Sequence, residues 1–329
     1  MKNFDLVQAD QPADALKLKS AASTTRFIAG GTNLVDLMKY GIESPDTLVD
    51  ISRLPLDTVA KTATGVRIGA LARNSDVAVN KLITDQFPLL AQALLAGASP
   101  QLRNMATMGG NLMQRTRCYY FYDTSTPCNK RNPQSSEGPS GCGAIGGFNR
   151  IHAILGASSS CIATNPSDMN VALSALDAIV QIQGPNGNRS VPLIDFHRLP
   201  GNTPQRDNVL ETNELIVGID LPTPRMAGKS HYQKVRDRAS YAFALVSVAT
   251  RMAVENGTIR DIQIALGGVA HKPWRMPAVE KQAVGQPATE ATFREVARQL
   301  LAEAKPQKDN AFKIKLAENT IVRSLQTVL

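Results

Sequence analysis

All four cysteines of this 329-residue chain, Cys118, Cys128, Cys142 and Cys161, fall in one stretch without hydrophobic period. Its core, RTRCYYFYDTSTPCNKRNP at 115–133, sets Tyr119, Tyr120 and Tyr122 among Arg115, Arg117, Lys130 and Arg131. The continuation, CNKRNPQSSEGPSGCGAIGGFNR, is rich in Gly, Pro, Ser and Asn. From about 113 to 165 neither the helical nor the strand period is sustained. An irregular loop of that length inside a compact domain is functional or disordered, and the full set of thiols favours function.

The thiols are separated by nine, thirteen and eighteen residues. Structural zinc sites pair ligands only a few residues apart, and no such pair exists, so zinc is the weaker metal reading. Four is an even number, which keeps disulfides open, although a chain this long rarely needs staples. An iron–sulfur cluster needs four converging thiolates and accepts them from a long loop. On spacing alone, cluster, disulfides and free thiols all remain open. For a cluster, the four basic residues would offset its negative charge and the YYFY run would exclude water.

The flanks are regular. PADALKLKSAA (12–22) and NLVDLMKYG (33–41) read as helices, with RFIA (26–29) and TLVDIS (47–52) as strands, a βαβ-like unit ending near residue 55. GVRIGAL (65–71) opens a second unit, with helices at about 74–81, 87–97 and 167–178. IVQIQ, the turn GPNG and RSVPLIDF form a hairpin, and ELIVGIDLP (214–222) closes the unit. Beyond PTPRMAG (222–228), strands at about 231–236, 243–254 and 259–267 suggest an antiparallel sheet. TEATFREVARQLLAEA and NAFKIKLAENTIVRSLQTVL then read as helices.

Two short glycine loops punctuate this order. FIAGGTNL (27–34) takes a strand through Gly30-Gly31 into a helix opened by Thr32 and Asn33. ATMGGNL (106–112) repeats the chemistry with Thr107, Gly109, Gly110 and Asn111. Glycines let backbone approach a phosphate closely, and successive N–H groups favour an anion. Two such loops fit one diphosphate held from two sides. No GxGxxG stands at a strand–helix junction, which excludes a standard dinucleotide fingerprint. Asp168 reads first as a helix cap and second as an acceptor for a ribose or ribityl hydroxyl. The histidines (His152, His197, His231, His271) are scattered and read as surface or structural residues. Trp274 reads as packing and Tyr241 as core or interface.

The formal charge is +8. It suits an acidic partner or an anionic cofactor; dispersed Lys and Arg and the lack of a recognition motif argue against nucleic acid. No apolar run approaches a membrane span. The opening MKNFDLVQAD shows no signal-peptide core, so the expected compartment is the cytoplasm, or the periplasm through export with a signal-bearing partner.

FIAGGTNLVDLM, LRNMATMGGNL, ATNPSDM, ELIVGIDLP, KVRDRASYAFALVSVA and ALGGVAHKPWR resemble, in that order, the FAD-binding medium subunit of the molybdenum hydroxylases. That family includes xanthine dehydrogenase, carbon monoxide dehydrogenase and bacterial aldehyde oxidoreductases. The resemblance spans essentially the whole chain. The cysteine window resembles the FAD subunit of periplasmic aldehyde oxidoreductases, which carries an extra 4Fe–4S cluster in such a loop. A related insertion occurs in the 4-hydroxybenzoyl-CoA reductase medium subunit.

The resemblance implies an α+β fold. A PCMH-type FAD-binding domain would occupy 1–223, with subdomains at about 1–55 and 56–223 and a 4Fe–4S loop insertion at about 113–163. A CO dehydrogenase flavoprotein-like C-terminal domain of antiparallel sheet and helices would occupy 224–329. FAD would be held by Arg26, Phe27, Ile28, Ala29, Gly30, Gly31, Thr32, Asn33 and Leu34 from the first loop and by Thr107, Gly110 and Asn111 from the second. Asp168, Ile216 and Lys234 would also contact it. Tyr241 stands where many relatives carry aspartate. Cys118, Cys128, Cys142 and Cys161 would ligate the 4Fe–4S cluster.

The implied function is electron transfer, with no substrate-oxidising acid or base on this chain. A molybdenum-cofactor large subunit would oxidise an aldehyde to a carboxylic acid. A 2Fe–2S small subunit would pass the electrons to FAD here, and an external acceptor would take them. Two readings compete: a self-sufficient flavin oxidase, and a structural subunit with a zinc-bound cysteine loop.

Overall fold

The computed structural model describes residues 1–132 and 141–329, so residues 133–140 of the expected insertion lie outside the described residues. Three sheets follow one another along the chain. The first comprises β1 (Asp5–Gln8), β2 (Thr25–Ile28) and β3 (Thr47–Asp50) in the order β1-β3-β2, all parallel. Parallel neighbours require crossovers, and the helices Pro12–Ser20 and Leu34–Lys39 supply them. The sequence pattern misses β1, because DLVQ is an edge strand with no buried residue.

The second sheet contains β4 (Val59–Thr62), β5 (Gly65–Gly69), β6 (Ile179–Gly184), β7 (Gly187–Pro192) and β8 (Leu215–Pro222). Its order is β4-β5-β8-β6-β7, antiparallel throughout. Between β5 and β6 the chain leaves the sheet for a helical excursion that includes the thiol segment. The expected helix at 74–81 is two, Asn74–Val79 and Lys81–Gln86. Asn80 breaks it by leaving helical geometry (ψ 130°) and accepting a hydrogen bond from the Leu82 amide. The expected strand RSVPLIDF stops at Pro192, and Leu193–Phe196 is a helical turn.

The third sheet contains β9 (Lys229–Val235), β10 (Val246–Glu255), β11 (Thr258–Gly267) and β12 (Trp274–Arg275), in the order β12-β11-β10-β9. Alternation along β10 and β11 decides what each face meets. Val246, Val248, Met252, Ile262, Ile264 and Leu266 join the core made with the helices Pro277–Ala283, Glu290–Leu300 and Phe312–Thr327. The opposite face presents Ala249 and Ala265 to the core of the second sheet. Small residues there let the helices Pro88–Ala96 and Asp168–Ala175 pack close against the strands. Buried on both faces, this sheet joins the two halves of the molecule, and Arg275 pins them by bonding the Ser174 carbonyl, Asp177 and Glu280. No helix among the described residues is long and apolar enough to cross a membrane.

Candidate functional site: a glycine-walled groove beside a thiol cavity

A groove of about 770 Å³ opens between the two glycine loops, the helical excursion and the third sheet. That volume lies within the range of ligand pockets. Both glycine loops wall it, through Thr32 and Asn33 on one side and Gly110 and Asn111 on the other. The loops touch: a Cβ on Gly30 would stand 1.8 Å from the Met105 carbonyl oxygen. Gly31 has φ 69°, a conformation glycine adopts without steric cost and which turns β2 into the next helix. Thr107 Oγ1 accepts from the Gly110 amide at 3.2 Å and fixes the second loop. Asn111 Oδ1 accepts from Ser167 Oγ at 2.7 Å. Asn33 Oδ1 accepts from the Arg115 amide at 2.9 Å, while its Nδ2 is buried without a protein partner. An orphaned buried donor on a cavity wall asks for an acceptor from a bound group.

Asp168 and Lys234 also line the groove. Asp168 is not the helix cap; Ser167 is, accepting from the Asn170 amide at 3.1 Å. Asp168 instead accepts from Tyr232 Oη at 2.7 Å and Lys234 Nζ at 2.8 Å, and Lys234 donates a second bond to the Ala96 carbonyl at 3.0 Å. Gly30, Gly31, Leu34 and Thr107 shape the loops behind the wall. Arg26 bonds Glu43 at 3.3 Å, Phe27 and Ala29 pack beneath the first sheet, Ile28 ends β2, and Ile216 is buried in β8.

Of the residues at the groove's mouth, sequence reasoning singles out only Tyr241. Arg238, Tyr241 and Phe243 line that mouth. Tyr241 is 58% exposed there rather than in the core. It has φ 49°, with its carbonyl accepting from Arg238 Nε at 3.1 Å and its ring under that guanidinium at 5.7 Å.

The four thiols surround one small cavity next to the groove, and Thr116 and Cys118 line both. All four are free cysteines, so the disulfide reading fails here. Cys128 and Cys142 pair across an isolated antiparallel bridge. Burial pushes the Cys118 thiol up to about 12 and Cys161 up to about 11, the latter against an opposing pull from Lys130. Among the described residues, no three His, Cys, Asp or Glu side chains converge closely enough for a single metal ion.

The basic residues do less for this cavity than their sequence position suggests. Arg115 bonds Glu43 at 3.1 Å and Asp207 at 3.0 Å, Arg117 bonds Asp36 at 2.9 Å, and Arg131 bonds backbone carbonyls. Only Lys130 lies on the cavity wall, and its charge faces Asp207. Shielding comes from Phe121, fully buried, and Tyr120, whereas Tyr119 is half exposed. One histidine is also not remote: His152 Nε2 stands 3.1 Å from Cys118 Sγ. Burial and Lys313 lower its pKa to about 4.

The geometry defines a mixed α/β protein with an anion-type cradle opening beside a thiol cavity. Residues 2–224 match the FAD binding domain in molybdopterin dehydrogenase, and residues 230–328 match the CO dehydrogenase flavoprotein C-terminal domain. The chain is 49% identical over 328 residues to the aldehyde oxidoreductase FAD-binding subunit PaoB of Escherichia coli K12, covering 99% of this chain and 98% of that one. It is 30% identical to the glyceraldehyde dehydrogenase medium chain of Sulfolobus acidocaldarius, covering 93% and 90%. Among solved structures, carbon monoxide dehydrogenase from Hydrogenophaga pseudoflava superposes with TM-score 0.77 at 25% identity, covering 99% and 97%. The chain belongs to the FAD-binding subunits of the molybdenum hydroxylases, the aldehyde oxidoreductase and xanthine dehydrogenase family of oxidoreductases.

Proposed function

We propose that this chain is the FAD- and 4Fe–4S-carrying electron-transfer subunit of a molybdenum-containing aldehyde oxidoreductase. In this reading a molybdenum-cofactor large subunit and a 2Fe–2S small subunit are its partners, and an external acceptor takes the electrons. The observation that carries it is the shared wall: Thr116 and Cys118 separate a glycine-walled groove from a cavity ringed by every thiol of the chain.

FAD, when bound, accepts and releases electrons singly or in pairs. The chain's residues hold it. Asn33 Nδ2 would face the diphosphate, Gly110 and Asn111, whose amides are held by Thr107, would let it approach the second loop closely, and Lys234, fixed by Asp168, would present a placed cation. Arg238 and Tyr241 narrow the mouth against water. Arg26, Phe27, Ile28, Ala29 and Ile216 support the site from behind, as strand and core residues.

The donor set of the second cavity is thiol only, the ligand chemistry of an iron–sulfur cluster. The test is FAD, iron and labile-sulfide analysis of the anaerobically purified chain. FAD equimolar with the chain, and iron matched by sulfide at four per cluster, are expected. One zinc per chain without labile sulfide would refute the cluster, and a chain free of flavin would refute the site.

A further inference from the structure

His152 lies on the groove wall and reaches a thiol of the neighbouring cavity. It is 1% exposed and sets Nε2 at 3.1 Å from Cys118 Sγ. Its position is fixed from three sides. Its amide donates to the Asn149 carbonyl at 3.0 Å. Its carbonyl accepts from Lys313 Nζ at 2.9 Å and Asn310 Nδ2 at 3.2 Å. The Tyr120 ring packs 6.3 Å away, centroid to centroid. Nδ1 has no hydrogen-bond partner of good geometry, the Asn149 backbone being its nearest acceptor. A neutral imidazole carries one N–H. A proton on Nδ1 would leave a buried donor poorly paired, whereas a proton on Nε2 has a sulfur acceptor within reach. A metal-ligating thiolate has no proton to give, which leaves Nε2–H as the donor.

We propose that His152 is a positioning residue that sets the potential of the thiol centre by donating Nε2–H to Cys118 Sγ on the side facing the flavin groove. This rests on the 4Fe–4S reading above. Hydrogen bonds to ligand sulfur are one of the levers a protein has on cluster potential. Reduction adds negative charge to the sulfurs, so the donor favours the reduced state and its removal shifts the midpoint negative.

The test is an EPR-monitored redox titration of the intact complex carrying His152→Phe, which keeps a ring and removes the donor. The expected result is a shift equivalent to about tenfold in the oxidised-to-reduced ratio, about 59 mV for one electron. His152→Gln, which restores an N–H at similar reach, returns most of the shift. A retained cluster with an unmoved midpoint overturns the proposal. Should His152→Phe lose its cluster, pulsed EPR of the wild-type complex labelled with ¹⁵N-histidine decides: one coupled ring nitrogen supports the donor, and no coupling overturns it. A wild-type complex with no 4Fe–4S signal sinks the cluster reading itself, a different result from a cluster without histidine coupling.

Discussion

Asp207 shows how single charges hold the thiol loop. Its carboxylate meets Arg115 at 3.0 Å, His271 at 3.6 Å and the ammonium of Lys130, whose side chain is 1% exposed. Burial alone would raise its pKa, but Lys130, Arg115 and His271 together outweigh that and hold it at about 2. A depressed folded-state value gives stability that is complete above the unfolded pKa and lost as pH falls through the folded one. Acidification from about pH 4 to about pH 2 should therefore remove about 2 kcal/mol. Asp207→Asn should lack that increment at neutral pH and show a shallower acid transition by circular dichroism. Parallel curves for the two proteins would contradict it. The buried pair Asp168–Lys234 makes a second case, at 8% and 5% side-chain exposure. Asp168→Asn strands a buried ammonium and should cost about 3–5 kcal/mol in denaturant unfolding. Adding Lys234→Met should recover much of it; strict additivity of the two losses would refute the pairing.

At the scale of elements, the two glycine loops act as one because Gly30 rests on the Met105 carbonyl. Gly30→Ala must push the loops apart by moving backbone. Its expected signature is a large fall in FAD per chain at near-native secondary structure, read by absorbance and circular dichroism; full flavin occupancy would show that the contact is dispensable. These loops are legible in sequence because diglycine after a strand marks a turn and a close approach that residues with a Cβ cannot adopt. Other elements are not, for physical reasons. β1 lacks a buried residue to set its alternation, and the break at Asn80 depends on a side chain capping its own backbone. The cap at Ser167 and the pairing of Asp168 illustrate competition between neighbours: both are plausible caps, and Asp168 is taken by Lys234 and Tyr232 from a strand more than sixty residues away. His152 carries no local motif, and the motif around Tyr241 does not show that its ring meets Arg238. Their importance arises from convergence of distant segments.

At the scale of the molecule, the third sheet governs the layout. Its large aliphatic face takes the C-terminal helices, and its alanine face admits the helices of the FAD-binding domain. That arrangement sets β9, with Lys234, against Asp168 and leaves both on the groove wall. The thiol segment is tied to the same frame: the Ile154 and Leu155 amides donate to the Val269 carbonyl, and the Lys305 amide donates to that of Ile154. Groove and thiol cavity are thereby neighbours by construction, with Thr116 and Cys118 as their common wall. The most direct measurement is anomalous diffraction at the iron edge from crystals of the anaerobic complex. The account requires an iron peak enclosed by Cys118, Cys128, Cys142 and Cys161, with flavin density in the adjoining groove. A peak at the zinc edge alone, or sulfurs bonded to one another, would contradict it.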